Sequence, residues 1–546
     1  MKFPIYKYLN SSAVHLFLLA SISIIVSTKG IGIGETWWSD ASQHAMNGVY
    51  LLDLIKNLPL NHIYDYTISY YFRYPALTLG FHPPFFPIVE AIFFSIGGIS
   101  ILTAKFTVIL FVIIGTIFWY RLIALIYNQQ IAFFASIFLF TSPIIVIWSR
   151  EVMLEIPALT MVIISVYFFY IYIELSRPKY AYFLTCSIVL AILTKQTSIF
   201  IVPLFISYII LTKKIRRLFN KETLISGIFF LLCITLTIVL TLLAGKNALA
   251  HVTLSMDKIY GFSKISFDNL IYYVQCLPEA LSFPVLIISS LSIIFFLIKK
   301  HDKATIIFIL WIVIDYLIIT FISVKEARYL IFLIPPFSLL ATLILFELRI
   351  KIKKVTLSLI IALILSAFQT VKAYTFEHPV ISGYETAAKY IAENSKGFGI
   401  LVNAYYNSNF VFFFRKYDTQ KNNIILRGDK LVYQYYNGNN CDSTSLLKMF
   451  ADYGIKYIVV ESFKSDMIPQ LEIIKPILRS NYFILLKEIP IKTNIKEYKN
   501  TSIFIYEYNG DFQINQRFLT YDIWLAGKTI KYPIEHLLKN DKKLNH

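Results

Sequence analysis

Apolar runs long enough to cross a lipid bilayer recur along the first two thirds of this 546-residue chain. The hydrocarbon core of a bilayer is about 30 Å thick and a helix rises about 1.5 Å per residue, so each run predicts a membrane-spanning helix. Hydrophobic residues make up 57 % of the chain and charged residues only 15 %, which excludes an ordinary soluble enzyme. The predicted spans lie near residues 13–28, 104–121, 131–148, 157–174, 180–194, 197–212, 222–244, 280–298, 304–323, 329–347 and 355–372.

The positive charges agree with this topology. Lysine and arginine exceed aspartate and glutamate by 51 − 33 = 18. With the N-terminus in the cytoplasm, the basic clusters fall on the cytoplasmic side of the spans, as the positive-inside rule requires. These clusters are Lys2 with Lys7, Arg121, Arg177 with Lys179, KKIRRLFNK at 213–221, KKHDK at 299–303 and RIKIKK at 349–354. The pattern predicts a multi-pass protein of the plasma (inner) membrane and no nucleic-acid partner, with the chain from about Tyr374 onward outside.

The segment 82–100 is apolar but opens with prolines, carries Glu90 and ends near a Gly-Gly pair. Counting it as a span would invert every later loop and place the basic clusters outside. We therefore expect a juxtamembrane or re-entrant element that lies in the interface. It belongs to a large first external loop, residues 29–103, within a transmembrane module of residues 1–373.

Residues 374–546 change in character and predict a soluble extracytoplasmic α/β domain. YETAAKYIAEN at 384–394 is typical of an amphipathic helix. The fold class predicted for the whole chain is a polytopic α-helical membrane protein of about eleven spans with this domain at its C-terminus. Short β-rich runs follow the helix, namely FGILVNAYY, NFVFFFRKYD, NNIILRG, IKYIVVES, NYFILLKEI and TSIFIYEYN.

Polar residues near the outer ends of the spans are candidates for function, because charges at membrane depth cost several kcal/mol. A carboxylate is suited to accept a proton from an attacking hydroxyl, and cations are suited to neutralise a phosphate leaving group. Lipid-headgroup contacts, structural ion pairs and interfacial tryptophans are the alternative interpretation of the same residues. The candidates are Asp40 and His44, Arg150, Glu151 and Glu155, Lys195, and Lys325, Glu326 and Arg328.

Five motifs follow one another along the chain: Asp40 in the first loop, HPPFF at 82–86, SREVMLEIPAL at 149–159, LTKQT at 193–197 and EARYLIFLIPP at 326–336. Together they resemble the GT-C glycosyltransferases, in particular the bacterial branch related to protein O-mannosyltransferases and the lipid A aminoarabinose transferase. The resemblance covers roughly residues 10–375, and the outer domain is also similar to that branch.

The resemblance implies an inverting transfer of a sugar from a polyprenyl-phosphate-linked donor to an acceptor outside the membrane. One departure is that Ala41 follows Asp40 where many relatives have Asp-Glu, which weakens an argument for metal binding there. Glu155 stands where relatives often have Asp. By motif, the catalytic positions are matched by Asp40 and Glu155. The residues expected at the donor phosphate are Arg150, Lys195 and Arg328. The role of shaping the loop is assigned to His44 and His82.

Two other functions stay open at this stage. One is a flippase or transporter of a lipid-linked substrate, and the other is a non-catalytic subunit whose outer domain recruits an acceptor. No cofactor and no metal site are predicted, since Cys186, Cys233, Cys276 and Cys441 are scattered without CxxC spacing, and a divalent metal is left open. The acceptor is open among lipid A, another glycan and a protein, and the sugar is open as well.

Overall fold

The computed structural model describes most of the chain. Several of the basic clusters used in the topology prediction lie outside the described residues, namely Lys2, Lys7, residues 299–302 and most of RIKIKK. The described residues are 11–78, 81–244, 256, 261–298, 303–347, 351–352, 355–395, 397, 399–418, 423–431, 443–462, 470–510, 516–523 and 528–538.

Helices dominate the chain up to residue 375. Three-residue-per-turn helices precede or link some of them, at Gln196–Phe200, Ile215–Leu218 and Ala327–Leu333. In chain order the α-helices are α1 Ser12–Thr28, α2 Ala41–Asn57, α3 Ile63–Arg73, α4 Phe85–Gly97, α5 Ile101–Ile126, α6 Gln129–Phe140, α7 Pro143–Ser149, α8 Glu155–Ile173, α9 Tyr180–Ile192, α10 Ile201–Leu211, α11 Lys221–Ala244, α12 Phe267–Leu281, α13 Phe283–Ile298, α14 Lys303–Phe321, α15 Ile334–Glu347 and α16 Leu357–Thr375.

Each of the eleven predicted apolar runs falls on a helix or on two consecutive helices, which confirms the helical part of the prediction. The run 131–148 is bent by 64° between α6 and α7, and Pro143 begins the second helix. Over the described residues, five helices are long and apolar enough to span a bilayer alone, and the bent pair can make a sixth. The helix α4 has 13 residues, about 20 Å, which is too short to span alone, as expected of an interfacial element.

The chain divides into two compact units. The first unit contains Met1–Ile31, Gly80–Phe86 and Lys105–His378, and the second contains Gly32–Leu79, Pro87–Ala104 and Pro379–His546. Most of the first external loop therefore forms one compact unit with the C-terminal segment. Contacts between segments some 300 residues apart leave no periodic signal in a sequence.

In the first unit, α8 packs closely against α5. Gly115 makes this approach possible, because a Cβ there would lie 2.8 Å from Thr160 Oγ1. The Thr160 hydroxyl in turn donates a hydrogen bond to the Phe111 carbonyl at 2.8 Å. The helix that carries Glu155 at its first position is thus fixed against α5 near its N-terminus.

The second unit contains a five-stranded mixed sheet in the order β5-β4-β6-β9-β7. The strand β4 is parallel to β5 and β6, whereas β9 is antiparallel to β6 and β7. The predicted helix at 384–394 and five of the six predicted strands are confirmed. The elements after α15, apart from α16, are β1 Lys351–Ile352, β2 Val355–Thr356, β3 Ile381–Ser382, α17 Tyr384–Asn394, β4 Gly399–Asn403, α18 Asn407–Tyr417, β5 Ile424–Arg427, α19 Ser443–Asp452, β6 Ile455–Glu461, α20 Gln470–Leu478, β7 Phe483–Pro490, β8 Lys492–Thr493, β9 Ser502–Tyr508, β10 Phe518–Ile523, β11 Lys528–Pro533 and α21 Ile534–Leu538.

The sixth prediction was wrong: NFVFFFRKYD forms the helix α18 and not a strand. Every residue from Ser408 to Arg415 is buried, so the sequence shows neither the alternation of a half-buried strand nor the polar face of a surface helix. The rings of Phe410 and Phe414, four residues apart, stack with centroids 5.8 Å apart, as helical spacing allows.

A buried ion pair ties α18 to α2 within the second unit. Arg415 donates from Nε and Nη2 to the carboxylate of Asp53 at 2.6 to 2.9 Å. The hydroxyl of Tyr70 in α3 donates to the same carboxylate at 2.7 Å. The first external loop is therefore joined to the C-terminal segment by a bidentate pair that solvent hardly reaches.

We expect Arg415→Met to lower the free energy of unfolding of the second unit by about 3–5 kcal/mol, because it leaves the Asp53 carboxylate buried without its cation. Pulse proteolysis of the full-length protein in urea measures this. The control is Lys389→Met, which removes an exposed lysine 3.9 Å from Glu393 and should change stability by less than about 0.5 kcal/mol. Equal urea midpoints for the two variants would contradict a stabilising role for the pair.

Candidate active site

Glu155 is the first residue of α8, and its side chain is 1 % exposed. Its Oε1 accepts a hydrogen bond from Lys195 Nζ at 2.7 Å, whereas Oε2 has no hydrogen-bond partner among the described residues. The helix N-terminus stabilises a negative charge at this position. Burial lowers the pKa of the Lys195 ammonium, and the charge of Glu155 opposes that shift.

Arg328 brings a second cation to the same carboxylate. Its Nε lies 3.5 Å from Glu155 Oε1 and also contacts the carboxylate of Glu326. The ring of Tyr329 lies beside both cations, with its centroid 5.1 Å from Lys195 Nζ and 5.9 Å from Arg328 Cζ. We call these five residues the Glu155 cluster.

Exposure differs within the Glu155 cluster in a way that suits anion binding. The side chains of Lys195 and Arg328 keep 13 % and 12 % of their surface exposed, whereas Glu155 keeps 1 %. The buried carboxylate of Glu155 thus contacts both cations, and part of each cationic side chain stays exposed. Such paired cations are the groups that stabilise a phosphate as negative charge develops on it.

The turn that carries Lys195 is held from two sides. The Lys195 amide donates to the Ala191 carbonyl at 3.0 Å, at the end of α9. The Phe85 amide donates to the Leu193 carbonyl at 3.0 Å, and Gln196 Nε2 donates to the Phe81 carbonyl at 2.7 Å. The HPPFF segment, which begins at His82, therefore lies against the Lys195 turn.

The guanidinium of Arg150 is held by backbone carbonyls. Its guanidinium is fully buried and makes four hydrogen bonds of 2.7 to 3.0 Å to the carbonyls of Val26, Ala373 and Phe376. Val26 and Ala373 lie in the last turns of α1 and α16, where carbonyls lack partners within their own helix. The geometry makes Arg150 a clamp for two helix ends, which favours a positioning role over contact with a phosphate.

Asp40 and His44 lie in the second unit, whereas the Glu155 cluster lies in the first. Asp40 is half-buried and directly precedes α2, and its carbonyl accepts from the His44 amide at 3.0 Å. The imidazole of His44 is buried in the same helix. Trp37 and Trp38 precede Asp40 with their rings 5.5 Å apart, edge to face.

Lys105 was not predicted as a site residue, and it is fully buried in α5. Its ammonium has no hydrogen-bond partner among the described residues. Burial lowers the pKa of His378 to about 4, and the charges of Lys105 and Arg150 add to that shift. The available signal was a single lysine within a predicted span, which is by default a functional candidate.

The comparisons with known proteins agree with this architecture. Residues 81–242 match the model of the family described as dolichyl-phosphate-mannose-protein mannosyltransferase. No protein of curated function matches the sequence. ArnT from Cupriavidus metallidurans bound to undecaprenyl phosphate superposes with a TM-score of 0.60 at 11 % identity, covering 91 % of this chain and 98 % of that one.

The chain has the GT-C glycosyltransferase fold. Two further GT-C structures superpose on it. AglB from Archaeoglobus fulgidus, in complex with an inhibitory peptide and a dolichol-phosphate, gives a TM-score of 0.55 at 13 % identity and covers 84 % of this chain and 70 % of that one. The mycobacterial arabinofuranosyltransferase AftD gives 0.52 at 12 % identity and covers 92 % of this chain and 40 % of that one.

With the GT-C fold and its many apolar helices, the protein is a multi-pass integral membrane protein. The described residues place no group of three or more His, Cys, Asp and Glu side chains where they would hold a metal ion.

Proposed function

We propose that this protein is an integral membrane glycosyltransferase that moves a sugar from a polyprenyl-phosphate-linked donor to an acceptor, with inversion at the sugar. The observation that carries the proposal is the pair of cations, Lys195 and Arg328, held by one buried carboxylate in a chain with the GT-C fold. The undecaprenyl phosphate bound to ArnT and the dolichol-phosphate bound to AglB support a lipid phosphate as the donor group.

In this proposal the Glu155 cluster binds the donor phosphate. Lys195 and Arg328 neutralise the phosphate oxygens as the sugar leaves. Glu155 keeps the two cations together and oriented, and its unpartnered Oε2 is available to accept a hydrogen bond from a sugar hydroxyl. Arg150 positions the ends of α1 and α16, and His82 shapes the HPPFF segment over the Lys195 turn.

Asp40 is the general base in the transfer step. The acceptor hydroxyl oxygen forms a bond to the anomeric carbon of the sugar, and the bond from that carbon to the phosphate oxygen breaks. The electron pair leaves with the polyprenyl phosphate, and the hydroxyl proton passes to the Asp40 carboxylate. The configuration inverts because the attack comes from the face opposite the leaving group.

The positive-inside pattern supports a cytoplasmic N-terminus, and it supports transfer on the extracytoplasmic face of the plasma (inner) membrane. The acceptor is then a lipid such as lipid A, another glycan or a protein on that face. In this proposal membrane lipids surround the apolar helices of the first unit, and the polyprenyl chain of the donor lies among them.

The test is the transfer of radiolabelled sugar from a panel of polyprenyl-phosphate sugars by the purified full-length protein in lipid nanodiscs, with membrane lipids, glycans and proteins supplied as acceptors. Label on an acceptor supports the proposal and identifies the donor. Binding of a lipid-linked sugar without transfer from any donor would overturn it. In a parallel assay in sealed proteoliposomes, label that crosses the membrane without transfer to an acceptor would favour the flippase.

A further inference from the structure

A short segment of the first external loop lies against the C-terminal part of the second unit. We call Gly34–Thr36 the strap. At its centre the Glu35 amide donates to the Ile381 carbonyl at 2.7 Å. Gly34 has a φ of +75°, and a Cβ there would lie 2.7 Å from Val380 Cγ1 and 2.9 Å from the Ile381 oxygen. The strap therefore needs glycine at its first position in order to lie against β3.

The carboxylate of Glu35 caps α17 from a distance of about 350 residues along the chain. Its oxygens accept hydrogen bonds from the amides of Gly383 at 2.9 Å, Tyr384 at 3.3 Å and Glu385 at 2.9 Å. The residue that precedes α17 is Gly383, which has no side chain with which to cap the helix. A carboxylate at this place satisfies amides that lack partners and also meets the positive end of the helix dipole.

A second anchor holds the other end of the strap. The Asn409 amide donates from Nδ2 to the Thr36 carbonyl at 2.8 Å. The Thr36 hydroxyl donates to Asn409 Oδ1. Both residues are buried, and Asn409 lies in the first turn of α18. The strap is thus fixed to β3, α17 and α18, all of which come from the C-terminal segment.

Asp40 lies four residues after the strap. Four residues of extended chain span at most about 14 Å, so a displaced strap displaces the start of α2. Trp37, the residue after the strap, is also buried. The part of the chain between the strap and Asp40 that can move independently is therefore shorter still. Burial raises the pKa of Glu35 to about 7 although three amides favour the ionised form. Burying a carboxylate at such a cost is explained if its position matters for the placement of Asp40.

We propose that Glu35 is a positioning residue for the general base: by capping α17 it fixes the segment that presents Asp40. The inference rests on the proposed function, because it assigns Asp40 the role of base. It gives the C-terminal segment a part in the transfer step that is separate from any recruitment of an acceptor.

The experiment compares Glu35→Gln and Gly34→Ala with wild type in the full-length protein. We expect the kcat at saturating donor to fall about 10- to 100-fold, as a displacement of about 1 Å at a reacting group produces. The KM for the donor should change by less than about threefold, since the Glu155 cluster binds it. Glu35→Asp, which keeps the charge, should retain more activity than Glu35→Gln. Hydrogen exchange should become faster in residues 37–44 and in 383–385 in both affected variants.

The matched control is Gly32→Ala, two residues before the strap, where a Cβ would meet nothing within 4 Å. It should leave kcat, KM and exchange unchanged. Faster exchange with an unchanged kcat would overturn the positioning role, as would an equal loss of donor binding and of kcat. If wild type transfers no sugar, the proposed function fails, and exchange in residues 37–44 alone decides whether Glu35 holds this segment.

Discussion

Asp40→Asn is expected to reduce sugar transfer about 10²- to 10⁴-fold, which is the range for removal of a general base. The amide has the size and shape of the carboxylate but cannot take the proton of the acceptor hydroxyl. Because Asp40 is half-buried and directly precedes α2, the substitution leaves no cavity in the core. Transfer from the donor identified by the panel, at saturating acceptor, measures the loss.

Two comparisons make this result specific. Asp65→Asn makes the same chemical change at an exposed position of α3 in the same unit and should leave transfer unchanged. Binding of the lipid-linked donor should stay within about threefold of wild type in the Asp40 variant, since the phosphate meets Lys195 and Arg328. An Asp40→Asn protein that binds donor and keeps full turnover would show that another group accepts the proton.

Removal of a cation from the Glu155 cluster is expected to act on donor affinity. We expect Arg328→Ala to weaken donor binding by about 2–5 kcal/mol, the range for truncating one partner of a buried charge pair. This corresponds to a rise in Kd of about 30-fold to several thousand-fold. Lys195→Ala should act in the same direction, because its ammonium holds the same Glu155 oxygen. Binding of a fluorescent polyprenyl phosphate that lacks the sugar isolates the phosphate contribution.

Arg216→Ala is the matched control for this series, because Arg216 is exposed in the same unit and its loss removes the same charge. The double variant of Lys195 and Arg328 should lose less affinity than the sum of the single variants, since both cations share one carboxylate and one ligand. An unchanged Kd in Arg328→Ala would place the phosphate site elsewhere in the helical unit, and the buried ammonium of Lys105 would be the next residue to replace.

The part of the fold that depends on hydropathy could be predicted from the sequence. A span needs a long apolar run, and α5, with 26 residues, and α11, with 24, stand out by length alone. The helix α18 could not be predicted, because a short run that is buried on all sides has no periodicity to distinguish a helix from a strand. The bend between α6 and α7 was not predicted either, although Pro143 marks its position.

The residues of the candidate site that belong to sequence motifs could be predicted. The residues that are defined by contacts far apart in the sequence could not. Glu155, Lys195 and Arg328 were named from loops that lie far apart in the sequence, and the structure brings these three together. Tyr329 was not singled out, since a tyrosine beside an arginine signals nothing on its own. Glu35 stood five residues before Asp40 and was passed over, because its partners are the amides of a helix about 350 residues later.

The composition of the second unit imposes an order on its biosynthesis. A ribosome completes Leu79 long before Pro379, and the 379 − 79 = 300 residues between them take about 15–60 s to synthesise at about 5–20 residues per second. During that interval Asp53 lacks its partner Arg415, and Glu35 lacks the amides of α17. The second unit can therefore assemble only after the last third of the chain has been synthesised.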